Sequence, residues 1–248
     1  MRPAAPHRAR RWARRAAVLL GALLVLCGIG TAWAYPPLGA AVCPACYGFE
    51  RVSAELVLPR DPDPALAEAL AADLAGARER IAATLGPSRA RTVFIGCPDE
   101  RCHRRMGGKG ARATTYSTPL GSVVRVSPRG LNGTILTHEL AHAAIHERIG
   151  VSRLLSGALP AWFDEGLAVI VSDDARYLGP GRGGERCVDP PDGPLPASPF
   201  EWASLGGRDP HLYARAACAV LAWMDEAGGW PAIRTALDEV GAGERRLP

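Results

Sequence analysis

Residues 133–148 read GTILTHELAHAAIHER, and residues 161–171 read AWFDEGLAVIV. The first stretch is free of proline and is followed by Gly150, which predicts a helix that ends before this glycine. Pro160 stands where a first-turn proline would stand and predicts a second helix directly after it. The sequence therefore predicts two helices joined by a short connection.

The rest of the chain predicts a mixed architecture. Alternating or β-branched residues predict strands at 51–59, 91–96 and 122–127. Further helices are predicted at 65–85, 209–226 and 230–240, and loops rich in glycine, proline or polar residues at 97–121 and 179–199. The predicted fold class is α+β: a small N-terminal β-α-β-β sheet, then an active-site helix, then C-terminal helices.

Charge is concentrated at the N-terminus of the 248-residue chain. The net charge is +4, but six arginines lie within the first fifteen residues, and the remainder carries 23 basic against 25 acidic side chains. The folded part is therefore not expected to bind nucleic acid. The length suits one domain. The preference for arginine over lysine, with abundant alanine, glycine and proline, suggests a bacterial source with a GC-rich genome.

Residues 1–35 predict an export signal or a membrane anchor. An uncharged apolar run from Ala16 to Ala34 follows the arginines, and it ends in an A-x-A pattern at 32–34. The run is also about long enough to span a bilayer, which would leave the arginines in the cytoplasm. Both alternatives place residues 36–248, as one domain, outside the cytoplasm in the bacterial cell envelope, either anchored in the inner membrane or exported.

Six cysteines follow the apolar run, and an even number in an oxidising compartment favours disulfides. We expect the pairs Cys43–Cys46, Cys97–Cys102 and Cys187–Cys218. An alternative is a redox or zinc site at Cys43-Pro-Ala-Cys46. That site would need a thioredoxin-like setting or a second ligand pair, and neither is evident in the sequence.

The predicted helix at 133–148 contains an H-E-x-x-H motif. Residues four apart are separated by about 40° around a helix axis, so His138 and His142 project together and can bind one Zn²⁺. Glu139 lies one step round the helix, within reach of a metal-bound water. A catalytic zinc needs a third protein ligand, and Glu165 on the next helix lies among apolar residues, where an unpaired carboxylate is costly. Gly166 would permit close approach of another helix.

The two motifs together, HELAH and WFDEGLA, resemble the gluzincin metallopeptidases, the M1-like "peptidase MA" group, over residues 122–226. The resemblance implies a zincin-like fold, Zn²⁺ held by His138, His142 and Glu165, and Glu139 as general base. It also implies an edge strand lining the cleft, at the position of 122–127. A tyrosine on a later helix would stabilise the oxyanion, and Tyr213 fits best, with His211 as a second candidate. The G-x-M-E-N signature of M1 aminopeptidases and their accessory domains are absent.

The leading hypothesis is a zinc-dependent metallopeptidase acting on peptide or protein substrates. The alternatives are a non-catalytic zinc-binding domain and a thiol–disulfide protein that uses Cys43 and Cys46. Three carboxylates, those of Asp164, Asp173 and Asp174, are candidates to orient a ligating histidine. His146 is expected to be packed or solvated rather than a fourth ligand, and His103 is expected to face solvent.

Overall fold

A computed structural model describes residues 6–247, with side chains from residue 11 onward except those of residues 24, 25, 27 and 29. Five strands form one sheet: β1 (Phe49–Arg51), β2 (Leu56–Pro59), β3 (Thr92–Gly96), β4 (Ala113–Thr118) and β5 (Gly121–Val126). Their order across the sheet is β1-β2-β3-β5-β4. The central pairs β2/β3 and β3/β5 are parallel, whereas β1 and β4 run antiparallel at the two edges.

Ten α-helices accompany the sheet in the described part of the chain. They are α1 (Pro6–Ala34), α2 (Pro36–Val42), α3 (Pro64–Thr84), α4 (Glu100–Arg105), α5 (Gly133–Ile149), α6 (Val151–Leu155), α7 (Ala161–Ser172), α8 (Pro199–Leu205), α9 (Leu212–Ala227) and α10 (Trp230–Ala242). The predicted helices at 65–85, 133–148, 161–171, 209–226 and 230–240 are all present. The fold class is α+β, as predicted.

Three sequence-based expectations about the sheet are wrong. The predicted strand 51–59 is two short antiparallel strands, β1 and β2, joined by a turn. The predicted loop 97–121 contains α4 and the whole of β4. The predicted edge strand 122–127 is an interior strand, because β4 pairs along its outer side and takes the edge. The expected β-α-β-β sheet is therefore a five-stranded one.

Two apolar cores lie on opposite faces of this sheet. Successive residues of a strand point to opposite faces. Leu56, Phe94 and Val124 belong to the larger core, which α3, α5, α7, α9 and α10 complete. Val57 and Ile95 belong to the smaller core, which residues of α2 and α4 cover. The helices predicted around H-E-x-x-H therefore all belong to one layer, on one face.

The six cysteines pair as predicted, Cys43–Cys46, Cys97–Cys102 and Cys187–Cys218. These pairs indicate an oxidising compartment outside the cytoplasm. In the first pair, Cys43 precedes the 3-10 turn Pro44–Tyr47 as its N-cap residue and Cys46 lies within the turn, ahead of β1. Among residues 6–247, no described helix is both long enough and apolar enough to cross a membrane. The signal-or-anchor interpretation of 1–35 stays a prediction, and part of that segment lies outside the described residues.

Candidate metal centre

Helix α5 runs through the middle of the larger core. It begins after Asn132, whose side chain accepts a hydrogen bond from the Ile135 backbone N–H at 3.1 Å, and it ends at Gly150, which has a φ of 80°. Its residues are buried on nearly all sides, because the sheet, α3, α7 and α10 pack around it. The polar side chains of the H-E-x-x-H motif are therefore held inside the protein.

Helix α7 brings Glu165 to this motif. The helix packs closely on α9, since a Cβ atom added at Gly166 would overlap the carbonyl oxygen of Ala216. This agrees with the expectation that the glycine permits close helix approach. Leu167 and Val169 are fully buried beside it. The apolar neighbours of Glu165 thus fix α7 against the core and turn its carboxylate towards α5.

Three ligand-type atoms meet between α5 and α7. His138 Nε2 lies 3.1 Å from His142 Nε2 and 3.3 Å from Glu165 Oε2, and the last two atoms are 3.5 Å apart. Tetrahedral zinc with bonds of 2.0–2.1 Å places its ligand atoms about 3.3 Å apart. The three atoms therefore form a triangle of the size that three ligands of one zinc ion require.

The charges of this cluster depend on each other. Burial would lower the pKa of His142, but the carboxylates of Asp164 and Glu165 raise it well above its ordinary value. Burial would raise the pKa of Glu165, but His142 and His138 lower it to about 2. Asp164 behaves likewise: burial opposes its charge, and His142 and His146 bring its pKa well below the usual range. The site stabilises carboxylates beside a positive charge, which a bound cation would also supply.

Glu139 lies one residue from the first ligand-type histidine and points to the edge strand. Its Oε2 accepts a hydrogen bond of 2.7 Å from the Thr115 hydroxyl of β4. Only 7% of Glu139 is exposed. Thr115 therefore holds one carboxylate oxygen of Glu139 in place, while the hydrogen bond leaves the other oxygen available to a proton.

Of the three candidate carboxylates, Asp164 reaches the site. Its Oδ1 faces His142 Nδ1 at 3.1 Å, and its Oδ2 accepts a hydrogen bond from His146 Nε2 at 2.8 Å. Asp173 instead pairs with Arg80 and Arg186, and Asp174 pairs with Arg176. His146 is buried, as expected of a packed histidine, and its Nδ1 lies 2.7 Å from the Ser117 hydroxyl.

The two oxyanion candidates lie in different surroundings. Tyr213 is half-buried, with its ring centroid 6.3 Å from that of His138, and it is stacked on Tyr177. Burial raises the pKa of its hydroxyl, and the Glu165 carboxylate adds to the effect, so the hydroxyl stays a proton donor. His211 is mostly exposed and pairs with Asp189 at 2.9 Å. Tyr213 is therefore the candidate whose ring lies beside the cluster.

Sequence reasoning missed Thr115 and Ser117, which lie in the segment predicted as a loop. The missed signal is local: ATTYST is rich in β-branched and aromatic residues, which favour strands. His103 is also misjudged, since it is 2% exposed rather than solvent-facing, and its ring lies against the Gly108 backbone.

The residues present fit a metal ion. His142 Nδ1 and Asp164 Oδ1 are buried and face each other out of hydrogen-bond alignment, while two imidazole nitrogens and a carboxylate oxygen converge nearby. Nitrogen and carboxylate donors in this number suit zinc. No family model, curated protein or solved structure matches this chain. The function is therefore inferred from the residues of the site.

Proposed function

We propose that the protein is a zinc-dependent metallopeptidase. The observation that carries the proposal is the triangle formed by His138 Nε2, His142 Nε2 and Glu165 Oε2, with sides of 3.1–3.5 Å. Glu139 lies directly beside it without belonging to it. Three protein ligands, with an adjacent carboxylate that is not a ligand, are typical of a hydrolytic zinc site. A structural zinc site would have four protein ligands.

Zinc bound there would lower the pKa of a coordinated water towards about 7 and polarise the scissile carbonyl. Glu139 would accept the proton of the attacking water and deliver it to the leaving amine, first as general base and then as general acid. Its hydrogen bond from Thr115 keeps the carboxylate aimed at this position. The Tyr213 hydroxyl would donate to the developing oxyanion of the peptide.

The substrate is inferred from the sheet edge beside the site. Strand β4 pairs only with β5 among the described strands, so its outer edge offers unpaired backbone groups. An extended peptide can bind such an edge by adding a strand. Since Thr115 and Ser117 of this strand contact residues of α5, a peptide on β4 would lie next to Glu139.

This proposal places the chain among zincin-like folds of the gluzincin type, with β4 rather than 122–127 as the strand lining the cleft. The enzyme would work in the bacterial cell envelope, outside the inner membrane, anchored by residues 1–35 or released after cleavage. Its partners would be a peptide or protein substrate and, if the segment is retained, the membrane. The three disulfides support the compartment.

The test compares the full-length chain with its Glu139→Gln variant, using casein and a mixed peptide library as substrates. We expect cleavage by the parent and a loss of at least about 10²-fold in the variant, because general acid–base catalysis contributes about 10²–10⁴-fold. Both proteins should retain one zinc. Equal cleavage by both would refute the role of Glu139. Zinc in both without cleavage of any library member would favour a non-catalytic zinc-binding domain.

A further inference from the structure

A chain of four polar side chains runs from the metal cluster to the sheet edge. His142 Nδ1 faces Asp164 Oδ1 at 3.1 Å, Asp164 Oδ2 bonds His146 Nε2 at 2.8 Å, and His146 Nδ1 bonds Ser117 Oγ at 2.7 Å. The members come from α5, α7 and β4. The three acidic or histidine members are largely buried, so water competes little for these contacts.

The chemistry of these groups fixes where the protons lie. An ionised carboxylate only accepts hydrogen bonds, so His146 must donate to Asp164 from Nε2. A neutral His146 then has a lone pair at Nδ1, and the Ser117 hydroxyl donates to it. The remaining oxygen of Asp164 lies 3.1 Å from Nδ1 of His142 without hydrogen-bond alignment, and its negative charge favours a proton on that nitrogen. That tautomer leaves the His142 Nε2 lone pair free, on the side where His138 and Glu165 converge.

We propose that His146 is a positioning residue, which acts with Ser117 and Asp164 to fix the tautomer and ring orientation of the metal ligand His142. The inference rests on the proposed zinc site and deepens it. Strand β4 would then act on the site twice from one face, through the contact of Thr115 with Glu139 and through the contact of Ser117 with His146. The strand that receives the substrate would thus also contribute to the affinity for zinc.

The experiment measures zinc affinity of the full-length chain by competition with a chromophoric chelator. Partners of a ligating histidine are worth about 10- to 100-fold in metal affinity. We expect His146→Leu to weaken zinc binding by about that factor and Ser117→Ala to weaken it by less. His146→Gln should recover much of the loss, because its amide nitrogen can donate to Asp164 from nearly the position of Nε2.

The matched control is Ser88→Ala. Ser88 donates a hydrogen bond of 2.7 Å to Glu147, so this variant also removes a hydroxyl contact to α5, one residue from His146 but outside the chain of four. Its zinc affinity should equal that of the parent. The spectrum of bound Co²⁺ supplies a readout that a general loss of stability would not move: its bands should shift in His146→Leu and stay unchanged in Ser88→Ala.

Three results would overturn the inference. Unchanged zinc affinity and an unchanged Co²⁺ spectrum in folded His146→Leu would refute the positioning role alone. If that variant fails to fold, the same result in Ser117→Ala would refute it. Two zinc ions in the parent and one in His146→Leu would make His142, His146 and Asp164 a second metal site instead. A parent that binds no zinc would refute the proposed function as well.

Discussion

Two groups of buried polar side chains lie on opposite faces of the same sheet, and they differ in what surrounds their histidines. Around His142, two carboxylates and two further imidazoles converge. Around His103, the charge with the largest electrostatic effect is Arg125, which donates to the Gly107 carbonyl and to the hydroxyls of Tyr116 and Thr114. All of these acceptors are neutral oxygens.

The difference shows that burial of a histidine does not by itself mark a site. Both ring nitrogens of His103 are buried without a hydrogen bond, and its imidazole fills space against the Gly108 backbone. In the cluster of His138, His142 and Glu165, by contrast, lone pairs and negative charge point to one place. Converging electron-pair donors distinguish a candidate metal centre from a histidine that only packs.

The largest effect should separate these two histidines. We expect His142→Leu to weaken zinc binding about 10²- to 10³-fold, since four-ligand zinc sites of about 10–16 kcal/mol amount to roughly 3 kcal/mol per ligand. His103→Leu should leave zinc affinity unchanged, because His103 lies on the opposite face of the sheet. The fold should tolerate this change, because it replaces unpartnered polar atoms by apolar ones. Chelator competition on both variants measures this. Equal losses in the two would abolish the distinction.

The next effect concerns the two stacked tyrosines. Tyr213→Phe should lower kcat about 10²-fold with little change in KM, because it removes one donor to the oxyanion. Tyr177→Phe keeps the ring that stacks on Tyr213 and should stay within about twofold of the parent. Steady-state kinetics on one identified peptide substrate measure both. If Tyr213→Phe retains full kcat, the oxyanion donor must be another group.

A smaller effect should divide the two faces of strand β4. Thr115→Val removes the hydroxyl that holds Glu139, and we expect kcat/KM to fall about tenfold, which corresponds to about 1.4 kcal/mol. Thr114→Val makes the same chemical change on the opposite face, where the hydroxyl accepts from Arg125. It should reduce the free energy of unfolding by about 1–3 kcal/mol and leave kcat/KM unchanged. The reverse pattern would show that the catalytic groups lie on the face of the sheet that carries Thr114.

The smallest effect is the pH dependence of the stability of the metal-free protein. The contributions of His103 and His142, on the two faces of the sheet, should change with pH in opposite directions. Burial lowers the pKa of His103, and Arg125 lowers it further, so its contribution to stability is lost as pH falls below about 6.5. At His142, burial opposes the charge, but Asp164 and Glu165 raise the pKa well above the ordinary value. Its contribution is therefore present below about pH 6.5 and is lost as pH rises through the raised pKa.

Thermal unfolding of chelator-treated protein across pH 5–9 tests these signs. His103→Leu should flatten the decline of Tm on the acid side, and His142→Leu should flatten the decline on the alkaline side. If both variants change the decline of Tm on the same side of the pH range, the inference that the two histidines have opposite environments is wrong.

The same comparison explains what the sequence could predict. Local signals predict helices α5 and α7, the two histidines of H-E-x-x-H and the short-spaced disulfides Cys43–Cys46 and Cys97–Cys102. The third disulfide, Cys187–Cys218, is the pair that remains when the number of cysteines is even. Strand β4 has no alternation of apolar and polar residues, and glycines flank it, so it is predicted as a loop. Its place at the sheet edge becomes visible only once β5 pairs with it.

The contacts that orient the site could not be predicted, because they join distant segments. Ser117 and His146 are 29 residues apart, and Thr115 and Glu139 are 24 apart. The choice of Asp164 over Asp173 and Asp174 depends on how α7 faces α5. For His103, the error arose because its neighbours Arg101, Arg104 and Arg105 suggest an exposed segment, whereas the short α4 packs its other side on the sheet.

X-ray absorption at the zinc edge on the purified full-length chain tests the central claim most directly. The account predicts one zinc per chain with two imidazole nitrogens and carboxylate or water oxygens at about 2.0–2.2 Å. The imidazole signal should decrease in His142→Leu. A chain that retains no zinc, or a zinc with sulfur ligands at about 2.3 Å, would contradict the assignment of His138, His142 and Glu165.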